Sequence, residues 1–165
     1  MYFFLRQQIN YREEKFMFFD AYHNTIYRTV SENAFTPLEI TMYKGETPVM
    51  RIEGKSKPRR TEYNIIDAGT GKTFAYMKSR FSLGGKFDVT TGSGALKMEG
   101  TFFSGCVSIT DSVGRTLVRA ESERVFSDGY KINFDGRSIT PELALALLTA
   151  FFNAINNNKR VQDSK

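Results

Sequence analysis

Near its end the chain reads TPELALALLTAFFNAIN over residues 140–156. Thr140 is a favoured helix N-cap, Pro141 suits the first helical position, and the charge of Glu142 complements the positive end of a helix dipole. Of the thirteen residues that follow, eleven are apolar. A helix with almost no polar face must be surrounded by apolar groups, and this run is shorter than the ~20 residues that span a bilayer. The pattern therefore predicts a helix enclosed by protein.

Composition favours one globular domain with an aromatic, β-rich interior. The chain has 165 residues, 41% of them hydrophobic and 25% charged, with fifteen Phe and eight Tyr. Aromatic residues are enriched in strands and in packed cores. We expect a single domain over residues 1–158 and a flexible tail over 159–165, because the asparagines at 156–158 can end the helix. The net charge of +5 permits an anionic partner without requiring one.

Most of the remaining chain alternates between apolar and polar residues, with polar turns every 20–24 residues or so. In one such segment Phe87 and Val89 alternate with Lys86 and Asp88. Strands are predicted near residues 2–7, 15–19, 25–30, 38–43, 48–53, 62–67, 73–78, 86–90, 95–100, 107–110, 116–122 and 129–134. Strands with one apolar, buried face and one polar, solvent-exposed face are typical of antiparallel sheets.

Twelve sequential strands and one apolar helix predict a specific architecture. Short connections imply a meander, and an open meander of this size would leave two unpaired edges. Closure removes the edges, but a barrel of more than about eight strands cannot be filled by its own side chains. A helix about 10–12 Å across would fill it. The predicted fold class is therefore mainly β: a twelve-stranded antiparallel closed barrel around a buried hydrophobic C-terminal helix.

Five segments give the chain a resemblance to a known family. They are LRQQ at 5–8, RFSLG at 80–84, GTFF at 100–103, DGYKI at 128–132 and ELALAL at 142–147. On these segments the chain resembles the LURP-one-related family, within the tubby-like C-terminal-domain superfamily that also includes phospholipid scramblases. The resemblance implies a twelve-stranded barrel around a C-terminal helix and includes no catalytic motif. Where it implies an Asp late in the helix, this chain has Asn153.

Several patterns that suggest chemistry have simpler interpretations. Residues 66–73 end like a phosphate-binding loop, but Ile66 stands where the first Gly is required and a strand follows, so we predict a hairpin turn. The aspartates of the turns lack the density of an EF-hand loop, although the likeness to scramblases raises calcium as an alternative. His23 and Cys106, each the single residue of its type, cannot form a zinc site. We predict no catalytic residue, no metal, no cofactor and no enzymatic activity.

A basic segment, KSKPRR at residues 55–60, is the strongest binding signal. Lys78 and Arg80 are candidates to lie near it. The candidate anion-binding residues are thus Lys55, Lys57, Arg59, Arg60, Lys78 and Arg80. Such a cluster could bind an anionic membrane surface or a phosphoinositide-type headgroup. The alternatives are a solvated loop that protects strand edges and, less favoured because the net charge is moderate, contact with nucleic acid.

These features predict a binding or regulatory module, most concretely one for anionic lipid. The alternatives are a protein-interaction scaffold that uses exposed aromatics such as Tyr22, Tyr43 or Phe126, and a scramblase-like lipid-handling protein. A cytoplasmic location, peripheral to a membrane if lipid is the ligand, fits the lone Cys106 and the lack of a signal-peptide pattern at the first residues. No transmembrane segment is predicted.

Overall fold

Twelve strands and one helix make up the structure, a computed structural model that describes residues 2–9, 14–31, 39–57, 60–79, 85–101, 105–123 and 129–163. The strands are β1 Tyr2–Ile9, β2 Glu14–Phe19, β3 Thr25–Ser31, β4 Glu39–Lys44, β5 Thr47–Lys57, β6 Arg60–Asp67, β7 Thr73–Ser79, β8 Lys86–Thr91, β9 Gly94–Thr101, β10 Cys106–Asp111, β11 Thr116–Ser122 and β12 Gly129–Phe134. The helix, α1, spans Pro141–Asp163. Each strand overlaps one of the twelve that the alternation pattern predicts.

The strands form a closed antiparallel barrel in which each pairs with its neighbours in sequence. The first and last strands complete the ring, with Leu5 of β1 opposite Tyr130 of β12. Closure pairs both edges of the meander, which would otherwise present unsatisfied backbone groups to solvent. The predicted fold class is confirmed.

The period of two along each strand separates the inside of the barrel from its outer surface. In β8, Phe87 and Val89 are buried, whereas Lys86, Asp88 and Thr90 are exposed. Successive side chains of a strand point to opposite faces, so the apolar set lies inside the barrel and the charged set lies outside. Any surface that could bind a charged partner is therefore built from the outward set.

The helix occupies the barrel interior, as its all-round apolar sequence predicts. Every side chain from Ala144 to Ala154 is at most 4% exposed. The two polar residues of this run are hydrogen-bonded: the Thr149 hydroxyl donates to the Leu145 carbonyl at 2.8 Å, and Asn153 Oδ1 accepts from the Tyr63 hydroxyl at 2.7 Å. A neutral amide thus stands where the family resemblance implies a carboxylate.

Side-chain contacts tether the helix to the wall at both ends of the barrel. Near its start, the Tyr27 hydroxyl donates to Glu142 at 2.7 Å. Burial, followed by this carboxylate, raises the pKa of Tyr27 above its ordinary value, so the phenol stays protonated. Near the other end, the Asn156 amide donates to Gln7 at 3.2 Å.

The helix is longer than the sequence predicts. It continues through the asparagines to Asp163, so the prediction that residues 156–158 end it is wrong. Residues 159–163, predicted as the start of a flexible tail, lie within it. No Gly or Pro follows the asparagines, and Lys, Arg and Gln there have good helix propensity. At 1.5 Å per residue the 23 residues span roughly 34 Å.

The barrel has two distinct ends. The connections that follow even-numbered strands, including β12 to α1, lie at one end, which we call the turn end. The odd-numbered strands finish at the other, which we call the loop end. At the turn end, four aspartates each accept the backbone N–H two residues further on, at 2.9–3.3 Å: Asp20, Asp67, Asp111 and Asp135. These Asx turns confirm four of the predicted turn signals.

The first prediction concerns Gly100 of β9, where the barrel wall lies close to the helix residue Phe151. A methyl group on Gly100 would lie 2.5 Å from Cζ of Phe151 and 3.1 Å from Cγ2 of Val107. Phe151 is fully buried against Phe87, with ring centroids 5.5 Å apart, so it has no room to move. We expect Gly100→Ala to lower the free energy of unfolding in urea by about 1–3 kcal/mol.

Gly92→Ala is the matched control, because nothing lies within 4 Å of a methyl group at that position. It should unfold at nearly the wild-type urea concentration. If Gly100→Ala and Gly92→Ala unfold at the same midpoint, the helix does not pack against β9 as described.

The Asx turns predict a pH dependence. The backbone N–H of Asn24 lowers the pKa of Asp20, and that of Arg115 lowers the pKa of Asp111. A depressed folded-state pKa gives stability that is fully present above the unfolded-state value of about 3.9 and is lost as the pH falls through the folded-state value. We expect Asp20→Asn/Asp111→Asn to be less stable than wild type at pH 7.

This difference, measured by urea unfolding, should shrink as the pH falls below about 4 and through the lowered folded-state pKa values, because the wild-type carboxylates then become protonated too. Glu46→Gln is the control, since the Glu46 side chain is 97% exposed and its 3.7 Å ion pair with Arg28 is at the surface, where such pairs contribute little. A difference that stays constant from neutral to strongly acidic pH would contradict the role of these charges.

Candidate functional site

The predicted basic cluster falls on the hairpin of β5 and β6 and on the neighbouring strand β7. Lys55 is exposed on β5, and Lys78 is partly buried on β7. Lys57 ends β5 directly opposite Arg60, the first residue of β6. These four cations therefore lie on three adjacent strands near the loop end.

Two of the six candidate residues cannot be placed. Arg59 and Arg80 lie outside the described residues. The backbone register of Lys57 and Arg60 is described, and their side chains are not. Their contribution to a binding site stays a prediction.

Register sets the electrostatics of the described part of the cluster. Glu62 pairs with Lys55 on one side and with Lys78 on the other. Lys78 is opposite Asp88, which is opposite Lys97. Charge therefore alternates in sign across five strands on the outer surface, and opposite charges on facing residues attract by roughly 0.2–1 kcal/mol per pair. Lys55 and Lys78 flank an acid and do not form an uninterrupted cationic patch.

Glu62 is the residue of this site that sequence reasoning missed. Although it faces outward, it is only 6% exposed. The alternation of apolar and polar residues places Glu62, Lys55 and Lys78 on the outward faces of their strands. Only the register between strands shows that they are neighbours. Beyond this acid, the register places Lys57 opposite Arg60 at the end of the hairpin.

Other cations approach the same end of the barrel. The even-numbered strands begin there, and Lys15 of β2 and Lys86 of β8 are exposed near the first residues of their strands. Lys86 is opposite Glu99 in the register. The helix also runs toward the loop end, since it starts at the turn end and contacts Gln7 near the finish of β1.

The remaining residues singled out in the sequence occupy turns and the outer wall. Tyr22 is 84% exposed at the turn end. The guanidinium of Arg28 lies over the ring of Tyr43, 4.5 Å from its centroid. Phe126 lies outside the described residues. Residues 68–72 form a turn that leads into β7, which confirms the hairpin interpretation of the phosphate-loop-like pattern.

Two negative findings concern metals and membranes. Within the described ranges, no group of three or more His, Cys, Asp or Glu side chains could hold a metal ion. Over the same part of the chain, no helix has the combined length and apolar character that crossing a bilayer demands.

A closed barrel threaded by a C-terminal helix defines a binding module of the tubby-like class. The family model described as LURP-one-related matches residues 1–152. The chain therefore belongs to the LURP-one-related family, whose barrels are generally non-enzymatic. Searches of curated proteins and of solved structures find no match.

Proposed function

We propose that this protein is a non-enzymatic module that binds anionic lipid headgroups of the phosphoinositide class through the loop-end half of the β5–β6 hairpin. It acts at the cytoplasmic surface of a membrane, as a peripheral protein. The observation that carries the proposal is the register of Lys57 opposite Arg60.

Like charges on directly opposed residues of an antiparallel pair repel. An anion shared between the two positions would relieve that repulsion, and phosphate oxygens accept hydrogen bonds from both ammonium and guanidinium groups. Lys55 and Glu62 are the adjacent pair along the hairpin, so the excess positive charge is at the hairpin end.

Four cations at the hairpin predict a moderate affinity for anionic membranes. Each Lys or Arg close to an anionic membrane contributes about 1 kcal/mol, so four contribute on the order of 4 kcal/mol. That attraction is screened within a Debye length of about 8 Å at physiological salt. Binding should therefore require vesicles with a high density of anionic headgroups and should weaken as salt is raised.

Co-sedimentation with vesicles tests the proposal. The variant Lys55→Glu/Lys57→Glu/Arg59→Glu/Arg60→Glu should bind vesicles containing a phosphoinositide at least about a hundredfold more weakly than wild type. A control variant, Lys44→Glu/Lys72→Glu/Arg115→Glu/Arg137→Glu, makes the same change in net charge with exposed turn-end residues. This control should retain binding, and both variants should keep a cooperative thermal transition.

Vesicle composition separates headgroup recognition from a general surface effect. Phosphoinositide vesicles are compared with phosphatidylserine vesicles of equal surface charge and with neutral vesicles. Equal pelleting of wild type on neutral and anionic vesicles, or equal losses in the two variants, would refute binding through the hairpin.

A protein-interaction scaffold is the second candidate, favoured by exposed apolar residues at the turn end. Tyr22 and Val113 are each 84% exposed in their turns. Tyr22→Ser/Val113→Ser should lose cross-linking to a partner protein while its melting temperature is unchanged. An identical cross-linking pattern in both proteins would remove these residues from consideration. Scramblase-like lipid handling is less favoured, because the apolar segment of the helix is enclosed by the barrel wall.

A further inference from the structure

Glu62 is a buried acid on the outer face of the barrel wall. Among the residues that the structure describes, it is the only buried one with a charged side chain, and the other buried polar residues carry hydroxyl or amide groups. Its neighbour Tyr63 points inward and donates to Asn153 of the helix at 2.7 Å, so Glu62 faces outward. Asp88, two strands away in the same row of the wall, is exposed. Burial therefore distinguishes Glu62 from an ordinary surface acid.

The surroundings of Glu62 keep its carboxylate within the wall. Removing a carboxylate from water is unfavourable unless other groups compensate its charge. The register places Lys55 opposite Glu62 on one side and Lys78 opposite it on the other. Glu62 also has a further interaction within the chain. A fully exposed acid can turn into solvent, whereas the buried charge of Glu62 is a fixed part of this surface.

This charge lies beside the surface that we propose for lipid binding. Neighbouring strands are about 4.8 Å apart, so the backbone of Glu62 is one strand spacing from Lys55 and one from Lys78. Both separations are shorter than the Debye length of about 8 Å at physiological salt. An approaching anionic headgroup therefore experiences the three charges together, and the acid offsets one of the two positive charges.

We infer that Glu62 is an autoinhibitory residue of the proposed lipid site, an inference that rests on the proposed function. Its carboxylate has the same sign of charge as a headgroup phosphate and competes with that phosphate for the attraction of Lys55 and Lys78. The affinity for a membrane is thereby lower than the cations alone would give. Attachment is kept weak and reversible, and it depends on a high density of anionic headgroups.

The test is co-sedimentation of the full chain with phosphatidylcholine vesicles that contain a phosphatidylinositol bisphosphate. Glu62→Gln removes one negative charge and keeps the size of the side chain. Because one unit of charge close to an anionic membrane changes affinity about fivefold, we expect Glu62→Gln to bind about fivefold more tightly than wild type. In roughly 1 M salt, where the Debye length falls to about 3 Å, the two proteins should bind alike.

Two control variants separate the charge of Glu62 from its packing and from net charge. Glu62→Asp keeps the charge and shortens the side chain, so it should bind as wild type does. Glu46→Gln makes the same change in net charge at a 97% exposed position in the β4–β5 turn, and it should also bind as wild type does. Thermal unfolding verifies the fold of each variant. If Glu62→Gln does not fold, Glu62→Thr makes the same test with a neutral residue of high strand propensity.

Three results would overturn the inference. They are equal or weaker binding by Glu62→Gln, the same increase in Glu62→Asp, and the same increase in Glu46→Gln. Lipid binding itself is judged separately, by the charge reversal of the hairpin. A protein that loses vesicle binding on that reversal and is unaffected by Glu62→Gln is a lipid module without this inhibition.

Discussion

This structure depends on one constraint: the interior of a twelve-stranded barrel is too wide for the strands' own side chains to fill. About eight strands is the size at which inward side chains can just fill a barrel, so a larger ring needs something inside it. The helix has the converse problem, because the run from Ala144 to Ala154 has no face that water could solvate favourably. Each half buries the surface that the other exposes, and neither half would be stable alone.

Filling the interior with a helix moves binding to the outside of the molecule. The inward side of the wall packs on the helix, as Gly100 of β9 and Phe87 of β8 do against Phe151. The outward set is free of that packing requirement and can vary in charge. Along one row of the described wall it alternates in sign, from Lys55 through Glu62, Lys78 and Asp88 to Lys97, which limits the net field of that row.

Two other places on the described wall are arranged differently, each for its own reason. At the hairpin end, the backbone register places Lys57 opposite Arg60, two residues of like charge. On β12, Gly129 leaves a gap in the row of outward side chains beside Arg6 of β1. The hairpin end differs in the sign of its paired residues, and the Gly129 position differs because it has no side chain.

Local sequence alone determined a large part of the fold. Period-two alternation identified the strands, Asp20 and Asp111 marked turns through side-chain to backbone hydrogen bonds, and the apolar run after Glu142 identified the central helix. The helix end was predicted wrongly, since a stop by asparagine depends on a conformation that neighbouring residues can override. Family membership followed from short segments that the family model also covers.

Only the tertiary structure decided which outward residues are neighbours. The sequence alone shows the run of cations at residues 55–60. Only the register between strands shows that Glu62 lies beside Lys55 and Lys78 and offsets part of their positive charge. The closure of β1 onto β12 likewise places Arg6 beside Gly129, more than a hundred positions away in the chain. Sequence periodicity specifies the face of a strand on which a residue lies, whereas the alignment of strands, set by turns and ring closure, specifies what it lies beside.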